Sequence, residues 1–377
     1  MPKIHHYFLV AITTLAVVMT LNDLHSKNKY RMEIPLGNNS KLEKVDFNQL
    51  DDWGKEDFKI ALRLFLMSCE RFSKFDENKK ILPQIDKNIV KKDLNGICKI
   101  AKTIDGYENK HIKVFFEKFF LPYKVISNRS LFTGYYMPVI RAKRRKDTIF
   151  RYPIYRRPPD LTDSKYYSRR QINFGALANK NLEIFYTDDP IELFFLHIQG
   201  SGIVKLVDEN RTIYIGYDGK NNHRYSSLWD HVSHKGLIDK NTKRNAKTIK
   251  YVLRNNKNKS NEILDMNDSY IFFKILKENT IKGAFGTQLI PQRTMAVDKN
   301  YIPLGFLLWV DTTHNLEHKN VSFRKVVLAN DIGSAIKGAI RGDIFFGYGV
   351  EGEDNASYQY SGGKYYLLIP KKIAKKL

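Results

Sequence analysis

The chain is short of negative charge and short of cysteine, and each shortage narrows the answer. Against 63 lysines and arginines it sets 40 aspartates and glutamates, a formal net charge of +23. Such an excess asks for an anionic partner: nucleic acid, a membrane surface or an acidic wall polymer. It does not choose among them, and the charge is spread along the chain. Cys69 and Cys98 are the only cysteines. Two cannot supply a common four-cysteine zinc site. In an oxidising compartment they could pair; in a reducing one they would be two buried thiols. No HExxH, EF-hand or P-loop pattern occurs, so no metal, nucleotide or other cofactor is expected.

Nor is there an ordinary membrane span near the N-terminus. The apolar run from Tyr7 to Leu21 is shorter than the ~20 residues a bilayer needs. Preceded by Lys3, His5 and His6, it fits the apolar region of an export signal better than a buried helix. No clean small-x-small cleavage site follows, so residues 1–25 are either a signal peptide or an uncleaved N-terminal anchor. A lipoprotein anchor is not expected, because the segment has no cysteine. Residues 26–45 are polar and read as a linker.

What is present is aromatic and apolar residue enough for a sizeable core: 42% hydrophobic, with 22 Tyr and 23 Phe. The length of 377 residues allows two domains. Residues 50–125 read as helical, with ALRLFLMSCERFSKF showing one apolar face and HIKVFFEKFFLPYKVI repeating the pattern until Pro122. From about 131, short apolar runs alternate with turn clusters (LFTGYYMPVI, YPIYRRPP, LFFLHIQGSGIVKLV, RTIYIGYDGKNNHRYSS), the spacing of a β module. Residues 228–280 read as more helical, and strands return after 283. Helices first and strands last, with a β segment between, predict a split body, 46–137 and 265–377, interrupted by an inserted β domain, 138–264. The groove between the two is the default ligand site.

The densest chemistry lies in LANDIGSAIKGAIRGDIFFGYG, residues 328–349. It holds Asp331 and Asp343 among small residues, with Lys337 and Arg341. Asp298 precedes it in RTMAVDKNYIPLG. Taken alone, these could be turn aspartates of a β domain.

Several collinear segments change that reading. FTGYYMP, FFLHIQGSG, IGYDGKNNHRYSS, YIFFK, RTMAVDKNYIPLG and DIGSAIKGAIRGDIFFGYG together resemble the MltA family of membrane-bound lytic murein transglycosylases. The last two also resemble the three-aspartate domain, whose aspartates match Asp298, Asp331 and Asp343. The resemblance implies a mainly β fold with N-terminal helices, in which a double-psi β-barrel is split by an inserted smaller β-barrel domain, with a groove between them. It implies a murein transglycosylase A type lyase, an exotransglycosylase in the family's usage. Such an enzyme breaks the β-1,4 bond between N-acetylmuramic acid and N-acetylglucosamine and leaves a 1,6-anhydro ring. The sequence itself does not distinguish action at strand ends from action within strands.

Carried over position by position, the catalytic acid matches Asp343, supported by Asp331 and Lys337. Thr133, Tyr136, Gln199 and Ser201 match substrate-binding positions, and Tyr135 could equally be core. Asp298 reads as structural. Cys69 and Cys98 match the family's cysteine positions, which favours a disulfide. Lys337 is expected against substrate or another carboxylate, since a cation touching Asp343 would oppose its protonation. Gly200 and Gly202 are expected to let the backbone approach a glycan. His197, in an apolar run, reads as a core residue; Asn221 and His223 read as a turn that could also touch substrate. Met137 stands where relatives are often acidic.

The implied partners are peptidoglycan glycan strands and other cell-wall enzymes, in the periplasm of a Gram-negative bacterium, with peripheral or N-terminally anchored membrane association. Nucleic acid is not expected. The competing reading is a non-catalytic peptidoglycan-binding protein.

Overall fold

A computed structural model describes residues 30–239, 241–242, 245–316 and 319–377. The segment 1–25, read from the sequence as a signal or anchor, lies outside the described residues. Among them, no helix is long and apolar enough to cross a membrane.

The fold is mixed α/β with two sheets. The ten-stranded sheet runs in the order β1 (Glu33–Gly37), β2 (Ser40–Lys44), β3 (Phe120–Ile126), β16 (Gly363–Pro370), β12 (Leu307–Leu316), β13 (Lys319–Asp331), β11 (Thr294–Val297), β14 (Ile340–Tyr348), β4 (Ser130–Met137) and β15 (Tyr360–Ser361). The six-stranded sheet runs β10 (Ile271–Ile275), β9 (Arg211–Lys220), β8 (Gly202–Leu206), β5 (Val139–Lys143), β7 (Glu183–Thr187) and β6 (Tyr152–Tyr155). Its two end strands, β10 and β6, come together and nearly close it into a barrel.

Three helices cover the large sheet: α1 (Phe58–Ser73), α2 (Asn95–Thr103) and α3 (Asn109–Phe119). Asp57 starts α1 by accepting from the Ile60 amide at 3.2 Å, satisfying one of the free N–H groups of the first turn. The buried face of α1, with Phe58, Ala61, Leu62, Leu64, Phe65 and Phe72, joins one core with the sheet. At its centre Trp309 is fully buried and meets Trp53 edge-on at 5.2 Å. Cys69 on α1 and Cys98 on α2 form a disulfide with their Cα atoms 5.6 Å apart.

The chain leaves the large sheet at Met137, enters the small one at Val139, and returns at Thr294. Within this excursion lie α4 (Pro190–Gln199), α5 (Leu228–His234), α6 (Ala246–Asn255) and α7 (Lys257–Asp265). They share a core of their own around Phe194, Phe195, Val232 and Leu253. After the return, α8 (Gly349–Ser357) follows β14.

Five expectations need correction. The fold is mixed α/β rather than mainly β with N-terminal helices: the excursion also holds α4, besides α5 to α7 in the 228–280 stretch that reads as helical. Residues 33–44 are not linker: β1 and β2 form a hairpin whose Leu42 is fully buried, and β2 pairs with β3. The β10 strand, expected in the body after residue 264, pairs with β9 in the small sheet, because Phe272 and Phe273 complete cores there. The run FFLHIQ is helix, not strand. Asp189 accepts from the amides of Ile191 and Glu192 at 2.8 and 3.1 Å, Pro190 occupies the first turn, and Gly200 ends the helix at φ 75°. Because α4 is buried almost all round, it carries no polar stripe to betray its period. The α3 reading likewise overran: helix stops at Phe119, and Pro122, which cannot continue it, sits in β3 with its carbonyl accepting from the Val45 amide.

The disulfide closes a loop of 29 residues. Chain entropy gives such a loop about 3.5 kcal/mol. The Cys69→Ala, Cys98→Ala double variant is expected to lose that much stability in denaturant unfolding, with the reductant-treated wild type falling to the same value.

Candidate active site

The site is built by strand register. β14 pairs in parallel with β4, so Asp343 stands opposite Thr133. On its other side β14 pairs antiparallel with β11, and Asp343 stands opposite Ala296. β11 in turn pairs with β13, where Ala296 faces Asp331. The result is one row across four strands: Asp331, Ala296, Asp343, Thr133. Directly paired residues share a face of the sheet, so all four side chains project together.

Asp331 reaches this row through a bulge. Met295 pairs with Ala329 but the next residue, Ala296, pairs with Asp331, leaving Asn330 as the extra residue. Asn330 is fully buried and pinned, its amide donating to the Thr287 and Gln288 carbonyls at 3.1 and 3.0 Å. Without the bulge Asn330 would stand in the row, and Asp331 would face the other side. Strand spacing puts the backbones of Asp331 and Asp343 about 10 Å apart.

The two aspartates are dressed differently. Thr133 Oγ1 donates to Asp343 Oδ1 at 2.5 Å, and no other hydrogen bond to that carboxyl forms among the described residues. Asp331 is occupied: its Oδ1 accepts from the amides of Ala284 and Ile332 at 2.9 Å each, and its Oδ2 from the Tyr135 hydroxyl at 3.1 Å. Withdrawal from water raises the pKa of Asp343; the Thr133 hydrogen bond and the Arg341 charge oppose this, and the Asp331 charge adds to it. Asp331 is raised as well, again by burial, with its three donors pulling the other way. The charges of both aspartates bear on the Tyr135 hydroxyl, whose pKa is raised by burial first and by these charges second.

On the opposite face of β14, Gly342 backs onto the core. A methyl there would strike Met295 and Phe132. The small residue lets β14 lie flat between its neighbours.

The predicted site residues divide. Thr133, Asp331 and Asp343 come together in one row. Tyr135, left open between core and groove, belongs with them, as its place two residues after Thr133 on a strand requires. Tyr136 does not: it points to the other face, is 3% exposed, and is a buried structural residue rather than a groove residue. Lys337 is exposed and pairs with neither aspartate among the described residues; the cation whose charge reaches Asp343 is Arg341, which also holds the Gly342 carbonyl at 2.6 Å. Gln199 ends α4 and its Oε1 accepts from the Tyr136 amide at 3.4 Å. Ser201 is half-buried in the turn that follows. Gly202 faces Leu196 and the Pro138 carbonyl, a packing contact. Asp298 is buried and pins the loop before β14, accepting from the Asn300 and Gly338 amides at 3.1 and 2.9 Å.

His197 is a core residue: neutral, its pKa driven down by burial and by Arg169, which donates to its Nδ1 at 2.9 Å. Asn221 is fully buried with its amide on the Tyr167 and Asp268 carbonyls, and His223 lies against the Tyr166 carbonyl. Met137 is buried beside Phe345 and Leu289.

Sequence reasoning missed the charge cluster behind the row. Lys250 of α6 is buried and reaches Glu192 of α4 at 2.6 Å, Glu353 of α8 at 2.8 Å and the Tyr136 hydroxyl of β4 at 3.2 Å. Arg254 adds a second bond to Glu192 at 2.5 Å. Helices α4 and α6 belong to the excursion; α8 and β4 belong to the body. One ammonium therefore ties the two together directly behind the strand that carries Thr133. Its sequence signal, a lysine one helical turn before an arginine, is too common to be read.

The chain resembles known proteins in both sequence and fold. Residues 131–274 match the MltA specific insert domain, and residues 293–368 match the 3D domain. The chain is 34% identical over 215 residues to the membrane-bound lytic murein transglycosylase A of Vibrio cholerae, covering 55% of this chain and 56% of that relative. The matched stretch thus spans little more than half of the relative's length. The crystal structure of MltA from Neisseria gonorrhoeae superposes with a TM-score of 0.75 at 30% identity, covering 90% of this chain and 95% of that one. E. coli MltA with bound chitohexaose superposes with a TM-score of 0.69 at 25% identity, covering 90% and 97%.

Removing one member of a buried ion cluster leaves the others uncompensated, at a cost of about 3–5 kcal/mol. Lys250→Met is expected to destabilise the protein by that order in chemical unfolding. Adding Glu353→Gln to the same chain should recover part of the loss.

Proposed function

This chain belongs to the MltA family, and from that premise we propose that it is a lytic transglycosylase acting on peptidoglycan, cleaving the β-1,4 bond between N-acetylmuramic acid and N-acetylglucosamine with Asp343 as its single catalytic acid. The observation that carries this is the contrast between the two carboxyls. Burial raises the pKa of both, but Asp343 accepts one hydrogen bond, from Thr133, whereas three donors occupy Asp331.

A hydrolase of the common kind needs two working carboxylates. Here one suffices, because the sugar supplies the nucleophile. Protonated Asp343 gives its proton to the glycosidic oxygen, the C1–O bond breaks, and N-acetylglucosamine leaves with a free 4-hydroxyl. The carboxylate so formed takes the proton of the muramic acid 6-hydroxyl as its oxygen bonds to C1. The product carries a 1,6-anhydro ring, Asp343 is protonated again, and no water is consumed.

Burial favours the neutral form needed at the start. Asp331, two strands away and fixed by its donors, acts by charge: a negative neighbour keeps Asp343 protonated. Tyr135 holds Asp331 in place. Gln199 and Ser201 are the substrate contacts on the excursion's side. The mixed order of the large sheet, with parallel pairs β11–β13 and β14–β4, supports reading the body as a double-psi β-barrel. The relatives' description as membrane-bound murein enzymes and the export-like N-terminus support a periplasmic, envelope-associated location.

Digestion of purified peptidoglycan followed by mass spectrometry tests the reading. Wild type is expected to release anhydro-muropeptides and Asp343→Asn none. Reducing-end products from wild type would mean a hydrolase, and products from neither protein would favour a wall-binding role.

The pH dependence is a second test. Activity needs the protonated acid, so it falls as pH rises through the pKa of Asp343. Thr133→Val removes a donor to the carboxylate and should move that alkaline limb to higher pH; Asp331→Asn removes a negative neighbour and should move it to lower pH. Opposite shifts of kcat/KM profiles are expected, and shifts of the same sign would sink the assignment.

Stability should respond in step. A carboxyl whose folded pKa is raised binds protons more tightly in the folded state, so folding weakens as pH climbs from the unfolded value of about 3.9. Asp343→Asn is therefore expected to gain stability over wild type from about pH 4 upward, levelling off above the folded pKa. Unfolding at several pH values reads this directly.

A further inference from the structure

The row of paired residues does not end at Thr133. β15 lies at the edge of the large sheet and pairs antiparallel with β4, placing Tyr360 opposite Thr133. Tyr360 therefore projects from the same face as Thr133 and Asp343, two strand intervals from the acid, or about 10 Å. Its side chain is 70% exposed and forms no hydrogen bond or ring contact among the described residues. Arg341 lies within electrostatic reach of both Asp343 and Tyr360, a second sign that the three share one region.

The ring is exposed by construction. Its neighbours on either side point inward and are locked. Gln359 is 3% exposed, donating to the Thr313 carbonyl at 3.1 Å and accepting at its Oε1 across 3.0 Å from His314 Nδ1. Ser361 donates to the same Thr313 carbonyl at 2.6 Å and lies 2.9 Å from Thr312 Oγ1. In a strand the residue between two inward side chains must face outward. A large aromatic is thus held in water on the edge of the sheet, on the face that carries the acid.

We propose that Tyr360 is a stacking platform for a saccharide ring of the glycan strand, at a subsite on the β15 side of the cleavage point. This rests on the reading of Asp343 as the acid of a glycan-cleaving site. A pyranose presents a face of axial C–H groups, which packs on an aromatic ring. A pyranose ring is about as long as one strand interval, so a chain lying across the strands from Asp343 would bring a later ring over Tyr360. The hydroxyl is not needed for this contact; the ring is.

The test separates this inference from the reading it rests on. Chitohexaose binding is measured by calorimetry to Asp343→Asn, which cannot turn over, and to the same protein carrying Tyr360→Ala, Tyr360→Phe or Tyr360→Trp. Tyr360→Ala is expected to weaken binding roughly ten-fold, while Phe and Trp retain it. Thermal unfolding of all variants should coincide, because the ring packs against nothing. Unchanged affinity in the Tyr360→Ala protein would overturn the platform and leave Asp343 untouched. Equal weakening by Phe and Ala would also overturn it, since the hydroxyl and not the ring would be the contact. Absence of binding with Tyr360 intact would overturn both readings.

Discussion

The parallel pairing of β14 with β4 is the constraint on which the site depends. It brings Thr133 to Asp343 across 210 positions of sequence and fixes their separation at hydrogen-bond distance. No loop is involved on either side of that contact. Both residues lie inside strands that are themselves paired on their other edges, so neither can drift without breaking backbone hydrogen bonds. The acid's environment is a property of the sheet: β11 supplies the small Ala296, β13 the second carboxylate, and Gly342 the clearance behind.

What lies behind the sheet matters as much as what faces the substrate. A buried ammonium gathers carboxylates from α4 and α8 and a tyrosine from β4, so the excursion and the body share one electrostatic centre. Such clusters rarely add net stability over apolar packing, but breaking one leaves buried charge uncompensated. The excursion meets the strand that carries Thr133 through this cluster, and Gln199 meets the backbone of that same strand at Tyr136.

The sequence pointed to the aspartates and the two cysteines through collinear family motifs, and to a split body through the order of its helical and strand-like stretches. It left other parts unread for physical reasons. α4 is apolar over most of its surface, so its helical period is hard to see beside an ordinary strand run. The hairpin at 33–44 is polar on its outer face and was indistinguishable from linker. Tyr135 and Tyr136 differ only in parity, and only the strand's register tells which one faces the acid. Asn330 shows the same point from the other direction: a one-residue bulge decides which side chain enters the row, and bulges have no reliable sequence mark. Lys250 and Tyr360 are long-range facts, made by pairings that no local pattern encodes.

The split of the body also sets a schedule. During synthesis β4 emerges early, but both of its sheet neighbours, β14 and β15, come more than two hundred residues later. At about 5–20 residues per second that is on the order of ten to forty seconds with two open edges. β3 waits similarly for β16. The excursion, in contrast, holds all six strands of its own sheet in one continuous stretch and can close while the body is incomplete. The nascent chain thus carries a finished middle between unfinished ends, and its most sticking-prone edge belongs to the strand that will carry the active site.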